Sequence, residues 1–362
     1  MITEAKILEE LCTGGIKLPP VVVRCVEREI RSKPDTGIDA LIEVGLGKQK
    51  VRFAVQAKAQ STPKAFQSAV NQLRSLKLPA GTLPMVVVPY LNESQLNQLE
   101  KEQISGLDLC GNGIVIVPDR LFILRSGAKN RFPSYSVIRN VYRRNSSMVG
   151  RVFLARSVYK AVQEIREEVN RRNLLVKRLD AKPMSMATVS KVLKTMEEDL
   201  LVSRDGGIRL LQADSLLEKL SQNYAKPGDQ KSIRLKVPVT GSSLEAVLAK
   251  YSGELNLPVV ATGRSSVGRY AVMQREDVLS AYCPRIEKLA ERIGGSQTDR
   301  FPNLELLETD EEPLYFDSLE RQGFFWASPV QVYLELMTGD KRDQETAEQV
   351  RDHILQGVRR KQ

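Results

Sequence analysis

The stretch SMATVSKVLKTMEEDLLVSRDGGIRLL, residues 185–211, leaves the backbone few choices. Met186, Val189, Val192, Leu193, Met196 and Leu200 recur three and four residues apart, the period of a helix with one apolar side. Thr188, Lys191 and Thr195 fall on the opposite side. The helix runs directly into two short strands around Asp205-Gly206-Gly207, a pair of glycines suited to a tight hairpin. Upstream, VFLARSVYKAVQEIREEVNRRNLLVKRL reads as helix broken near Asn173, and Pro183 ends it. Residues 151–225 therefore predict helix, helix, turn, helix, hairpin. Ser185, Thr188, Ser190, Lys191 and Lys194 are short or flexible enough to enter a major groove. Arg204 and Arg209 beside the hairpin tip suit a phosphate or a minor groove.

Charge points the same way. The chain of 362 residues carries a net charge of +10. Fifteen Lys and Arg face three Glu between Arg120 and Arg178, whereas fourteen acids outnumber eight bases from Asp299 onward. A basic block of this kind is the footprint of phosphate neutralisation, with Arg139, Arg143, Arg144 and Arg151 as the candidate contacts. The single histidine, His353, argues against His-ligated zinc and His-based nucleophile triads. The four cysteines, Cys12, Cys25, Cys110 and Cys283, form no CxxC pair, so a reducing cytoplasm without disulfides is expected. No apolar run reaches the length of a membrane span, and MITEAKILEELC lacks the apolar core of a secretion signal.

Residues 1–130 predict an α/β domain. PPVVVRCVEREIRSK reads as a helix opened by prolines. IDALIEV and KVRFAVQAKA read as strands joined by GLGKQ, PKAFQSAVNQLRSL and SQLNQLEKEQI as helices. LPMVVVPYL reads as a strand covered on both faces, and GNGIVIVPDRLFILRSG as a hairpin. Gln56 and Lys58, two apart on one strand, point to one face, and Asp39 on the neighbouring strand reaches it. A carboxylate, an amide oxygen and a lysine in that pattern can hold Mg²⁺ and act on a phosphodiester. Glu27 or Glu29 could add an acid.

Residues 131–150 read as a basic linker and 232–362 as a further α/β domain. Strands are expected at LPVVATG, YAVMQ, NLELLET and LYFDS, and helices at QVYLELMTG and DQETAEQVRDHIL. Gly263-Arg264-Ser265 follows an apolar strand, as in nucleotidyltransferase phosphate turns, but no Asp-x-Asp follows. Glu276 and Asp277 are adjacent and would face opposite ways on a strand, so the turn reads as structural. Phe324, Phe325 and Trp326 read as core.

TVSKVLKTMEEDLLVSRDGG resembles the winged-helix transcription regulators. Together with LDLCGNGIVIVP, RSGAKNRFP and GFFWASPVQVYLELMTGDKRDQETAEQVRDHIL, it resembles AbiEi-type antitoxins, the transcriptional repressors of type IV toxin–antitoxin systems. In that family the winged helix comes first; here an α/β domain precedes it. VQAK with Asp39 resembles the PD-(D/E)xK nucleases, closest to the Mrr type. That resemblance implies Asp39 and Gln56 as metal ligands and Lys58 as catalytic lysine, although Gln56 is not acidic and Pro34-Asp35 stands before the expected acid.

The combined expectation is a multidomain α/β chain: a restriction-endonuclease-like sheet domain, a central winged helix-turn-helix, and a degenerate nucleotidyltransferase-like domain. It would be a cytoplasmic DNA-binding regulator without a cofactor. Its partners would be double-stranded DNA, a cognate toxin and a second copy of the chain. The alternative is a Mg²⁺-dependent endonuclease targeted by the winged helix.

Overall fold

The computed structural model describes residues 2–14, 16, 18–28, 37–47, 49–132, 140–179, 181–228, 230–239, 242–272 and 278–360. It is a mixed α/β protein whose contacts divide into two compact units, Met1–Val137 and Ile138–Gln362.

The first unit contains α1 (Glu4–Cys12), β1 (Val22–Arg28), β2 (Ala40–Leu46), β3 (Gln49–Ala57), α2 (Pro63–Ser75), β4 (Thr82–Val88), α3 (Glu93–Glu102), β5 (Ser105–Asp108), β6 (Gly113–Val117) and β7 (Leu121–Arg125). The seven strands lie side by side in chain order. β1, β2 and β3 are antiparallel, β3, β4 and β5 parallel, and β5, β6 and β7 antiparallel again. Two parallel joins require crossovers, and α2 and α3 supply them. Ile7, Leu8 and Leu11 of α1 pack with Ile42, Phe53, Val55, Met85 and Val87 on one face of the sheet. Phe66 and Leu73 of α2 and Leu96 and Leu99 of α3 pack with Val86, Val88, Ile114 and Ile116 on the other. β4 is thus covered twice, which accounts for its unbroken apolar sequence.

Two expectations fail here. The segment expected as a helix after Pro19-Pro20 is strand β1. Its β-branched valines favour a pleated chain, and exposed Val22, Arg24 and Val26 alternate with buried Val23 and half-buried Cys25, a period of two. The expected absence of disulfides also fails: Cys12 and Cys25 are bonded, their Cα atoms 4.7 Å apart. Packing of α1 against the strand, invisible in the 13-residue spacing, brings them together.

The second unit holds α4 (Ser147–Ala155), β8 (Val158–Tyr159), α5 (Val162–Arg172), α6 (Met186–Glu198), β9 (Val202–Ser203), β10 (Ile208–Leu210) and α7 (Ala213–Asn223). It continues with β11 (Ser232–Lys236), α8 (Ser242–Glu254), β12 (Val260–Ala261), α9 (Gly263–Ser266), β13 (Leu279–Cys283), α10 (Ile286–Ile293) and β14 (Ser296–Gln297). It ends with β15 (Leu304–Glu308), α11 (Glu312–Tyr315), β16 (Leu319–Arg321), β17 (Phe324–Trp326), α12 (Pro329–Leu336) and α13 (Lys341–Arg359). β8, β10 and β9 make a small antiparallel sheet beside α5 and α6. A mixed sheet of order β14-β11-β15-β13-β12-β17-β16 holds the other strands. Leu248 of α8, and Ile286 and Leu289 of α10, pack with Phe324 and Trp326 on one face; Leu175, Leu314 and Tyr315 pack with Tyr282 and Phe325 on the other.

Val332 and Leu336 of α12 and Val350 and Ile354 of α13 join the same core as Val149 and Phe153 of α4 and Leu216 of α7. Residues 232–362 thus share a core with residues 151–225, which the sequence assigned to separate domains. LYFDS is not a strand: Pro313 lies in the first turn of α11, and Phe316 is buried beyond it. YAVMQ begins in coil after a 3-10 turn at Val267–Arg269, and its remainder lies outside the described residues. β13, in parallel register with β15, was not foreseen.

Candidate nucleic-acid interface

α6 starts at Ser185, whose Oγ accepts the Thr188 N–H at 3.2 Å and lies 3.0 Å from the Thr188 hydroxyl. That N-cap satisfies one of the donors a helix leaves open. Val189, Val192, Leu193 and Met196 are buried, while Met186 and Leu200, expected in the same stripe, are half-buried. The buried residues clamp one side of α6 onto the core, so the other side must face outward. It presents Ala187, Ser190, Lys191 and Lys194, all exposed and all within one stripe at helical spacing. Thr188 is half-buried beside them, and Thr195 donates its hydroxyl to the Lys191 carbonyl at 3.3 Å. Ala187 did not feature among the expected contacts, yet the periodicity that picks out Lys191 and Lys194 also selects it.

The far end of α6 is fixed by residues distant in sequence. Asp199 Oδ2 accepts the Tyr142 hydroxyl and the Lys219 ammonium, the latter at 2.8 Å. Burial, with the Asp199 charge close by, pushes the Tyr142 phenol far above its ordinary range. Glu197, Glu198 and Asp199 therefore collect at the end of the helix away from Ser185.

In the hairpin, Asp205 N–H donates to Ser203 Oγ at 3.2 Å, and Gly206 and Gly207 take the positive φ angles of the turn, 69° and 130°. Arg209 on the central strand is exposed. Arg204 is exposed as well, its guanidinium 3.9 Å from Glu197. Arg143 and Arg144 are exposed at the 3-10 turn Arg144–Ser146, which packs against α6. Arg139 lies outside the described residues.

Arg151 departs from its expected phosphate contact. It is 3% exposed, and its Nη1 donates to the Pro313 carbonyl and the Gln331 Oε1, both at 2.9 Å. Burial pushes it down to about 10, with partial compensation from surrounding acidic groups. α4 is buried nearly throughout, so an arginine on it has no path to solvent.

At the end of β3 the sheet does bring the expected residues together. The Ala57 N–H donates to Asp39 Oδ2 at 2.8 Å, and the Asp39 N–H donates to the Val55 carbonyl at 3.0 Å. Gln56, 2% exposed, donates its side-chain amide to the Gly37 carbonyl. Lys58 is half-buried, and its ammonium has no partner among the described residues. This donor set offers one carboxylate, already engaged, and one amide oxygen. Among the described residues no three His, Cys, Asp or Glu gather into a group able to hold a metal. A hard cation draws on more oxygen donors than that from protein, substrate and water together, so the described residues do not by themselves fit a Mg²⁺ cage. β1 rather than a helix carries Glu27, whose side chain, like Glu29 and Pro34-Asp35, lies outside the described residues.

The Gly263 turn is filled from within. Gly263 N–H donates to Glu335 Oε2 at 2.7 Å, and Gln331 Nε2 to Glu335 Oε1 at 2.8 Å. A Cβ on Gly263 would stand 2.8 Å from that carboxylate, which explains the glycine. Ser266 Oγ accepts the Ala327 N–H at 3.0 Å, and Ser265 Oγ the Ser280 N–H at 2.9 Å. The amide that a phosphate turn would offer is taken by Glu335, as the structural reading expects. Glu276 and Asp277 lie outside the described residues.

No helix among the described residues is long and apolar enough to cross a membrane. No protein-family model, curated protein or solved structure matches the chain.

Proposed function

We propose that the protein is a DNA-binding transcriptional regulator, with α6 as the recognition helix of a winged helix-turn-helix and β9–β10 as its wing. One observation carries this reading: α6 buries Val189, Val192, Leu193 and Met196 against the core and exposes Ala187, Ser190, Lys191 and Lys194 on its other side, toward its N-terminal half. A small methyl, a hydroxyl and two amines match the edges and phosphates of a major groove. Arg143 and Arg144 on one side and Arg204 and Arg209 on the hairpin supply sequence-independent grip. Ser185 acts first as the cap that orients the helix N-terminus, whose open N–H groups favour a phosphate. Repression of its own operon, with a cognate toxin as protein partner, is the form of regulation the family resemblance adds. Selection from a randomised duplex pool tests the reading. Enrichment of a short motif, lost in Ser190→Ala and Lys191→Ala, is expected; an unenriched pool contradicts it.

The juxtaposition of Asp39, Gln56 and Lys58, whose ammonium has no partner among the described residues, favours a second reading, a Mg²⁺-dependent endonuclease of restriction-endonuclease-like fold. Metal-dependent nicking of plasmid, absent in Lys58→Ala, would support it, and intact plasmid with Mg²⁺ or Mn²⁺ would remove it.

A further inference from the structure

The connector from α5 to α6 runs over residues 173–185, of which Asp180 lies outside the described residues. A helix-turn-helix joins its two helices with about three or four residues. A longer connector leaves the start of α6 to be fixed by contacts rather than by its own length. Two sets of contacts do this. Leu175 and Val176, 1% and 2% exposed, pack with Tyr282 of β13 and Phe325 of β17, and Leu179 and Ala181 pack against the same cluster. Arg178 donates to the Leu257 carbonyl at 3.3 Å, its guanidinium 5.9 Å from the centre of the Phe325 ring. This part of the connector is thus seated on the sheet that holds β13 and β17.

The second set brings the chain back to α5. Asn170 Oδ1 accepts the Met184 N–H at 2.9 Å, and Asn170 Nδ2 donates to the Met184 carbonyl at 3.4 Å. One side-chain amide therefore satisfies both backbone groups of one residue, as a neighbouring strand would. Ile165 and Val169 bury α5 in the same core as Val189 and Val192 of α6, so Asn170 stands on a fixed support. Met184 directly precedes Ser185, the cap of α6, and Ala187, Ser190 and Lys191 follow.

We infer that Asn170 is a positioning residue for sequence recognition: it holds the N-terminal end of α6 at the angle from which Ala187, Ser190 and Lys191 reach base edges. This rests on the DNA-binding reading of α6. Phosphate contacts carry no sequence information and tolerate a loosely held helix. Base contacts do not, because a loose helix has to be ordered at the moment of binding. Loss of Asn170 therefore weakens binding to the right sequence more than binding to any sequence.

Fluorescence anisotropy with two labelled duplexes tests this, one carrying the motif enriched from the randomised pool and one scrambled from it. Thermal melting shows whether each variant is folded. Asn170→Ala should weaken motif binding about tenfold, the worth of about one net hydrogen bond. Scrambled-duplex binding and its salt dependence should stay at the wild-type values. Asn170→Asp keeps the acceptor for the Met184 N–H but sets a carboxylate against the Met184 carbonyl. It should reduce the affinity ratio between the two duplexes about threefold, and its added charge acts on both duplexes alike. Leu174→Ser, at a residue 57% exposed on the same connector, should leave the ratio unchanged. A wild-type ratio in Asn170→Ala, or in Asn170→Asp should the alanine variant not fold, overturns the inference while the DNA-binding reading stands. So does an equal loss on both duplexes, or the same loss in Leu174→Ser. A pool that enriches no motif removes the DNA-binding reading, and the inference with it.

Discussion

At the end of β3, Asp39 accepts a backbone amide and Gln56 donates to a backbone carbonyl. On the outer side of α6, the side chains of Ser190, Lys191 and Lys194 hold no partner among the described residues. Both sets are polar residues at a spacing that invites a functional reading, and burial separates them. Where a strand end is packed from both faces, a polar side chain must satisfy the backbone around it or leave a group unpaired. Where a helix is buried on one side only, the outer side is released from structural duty. Arg151 and Glu335 belong with the first set, and Arg143, Arg144 and Arg209 with the second.

Substitutions can break this contrast. The largest effect is expected at Arg151→Ala, which strips a buried guanidinium from two acceptors and should cost about 3 kcal/mol in urea unfolding. Arg143→Ala should stay within about 0.5 kcal/mol in the same assay. Equal losses would dissolve the distinction. Next is Asp39→Ala, which leaves the buried Ala57 amide unpaired and should cost about 1–3 kcal/mol, whereas Lys58→Ala should leave the unfolding midpoint in place. Arg209→Ala, which removes one phosphate contact under the DNA-binding reading, should weaken duplex binding several-fold without changing stability.

A smaller effect follows from pH. Burial raises the Glu335 pKa. The folded protein therefore binds more protons than the unfolded chain once pH exceeds the ordinary carboxyl value. Stability contributed at this position declines as pH rises from there through the folded pKa. Comparing urea unfolding near pH 5 and pH 7 should show a shallower decline in Glu335→Gln; an unchanged pH dependence would mean that Glu335 titrates normally.

How much of this was legible in sequence follows from the range of the contacts. The buried and exposed sides of α6 repeat every three to four residues, so both can be read locally. The Asp39 pairing with Ala57 could be anticipated because a short hairpin fixes its register. The disulfide, the burial of Arg151 and the carboxylate beneath Gly263 depend on elements 13, 162 and 72 residues apart, and no local periodicity encodes them. β1 differs in kind: Pro19-Pro20 suit the start of a helix and of a strand alike, and the β-branched valines that follow decide for the strand. Ala187 falls on the same local period as Lys191 and Lys194 and is legible from it.

The central claim, that the outer side of α6 grips a duplex, is tested most directly by the salt dependence of binding. Fluorescence anisotropy of a labelled duplex, titrated at several salt concentrations, gives the slope of log K against log salt for the wild type and for the Lys191→Ala/Lys194→Ala pair. If both lysines meet phosphates, the double variant should bind more weakly, with a slope shallower by about 1.8 and unchanged thermal stability. Identical affinity and slope in wild type and variant would contradict the assignment of α6 as the DNA-contacting helix.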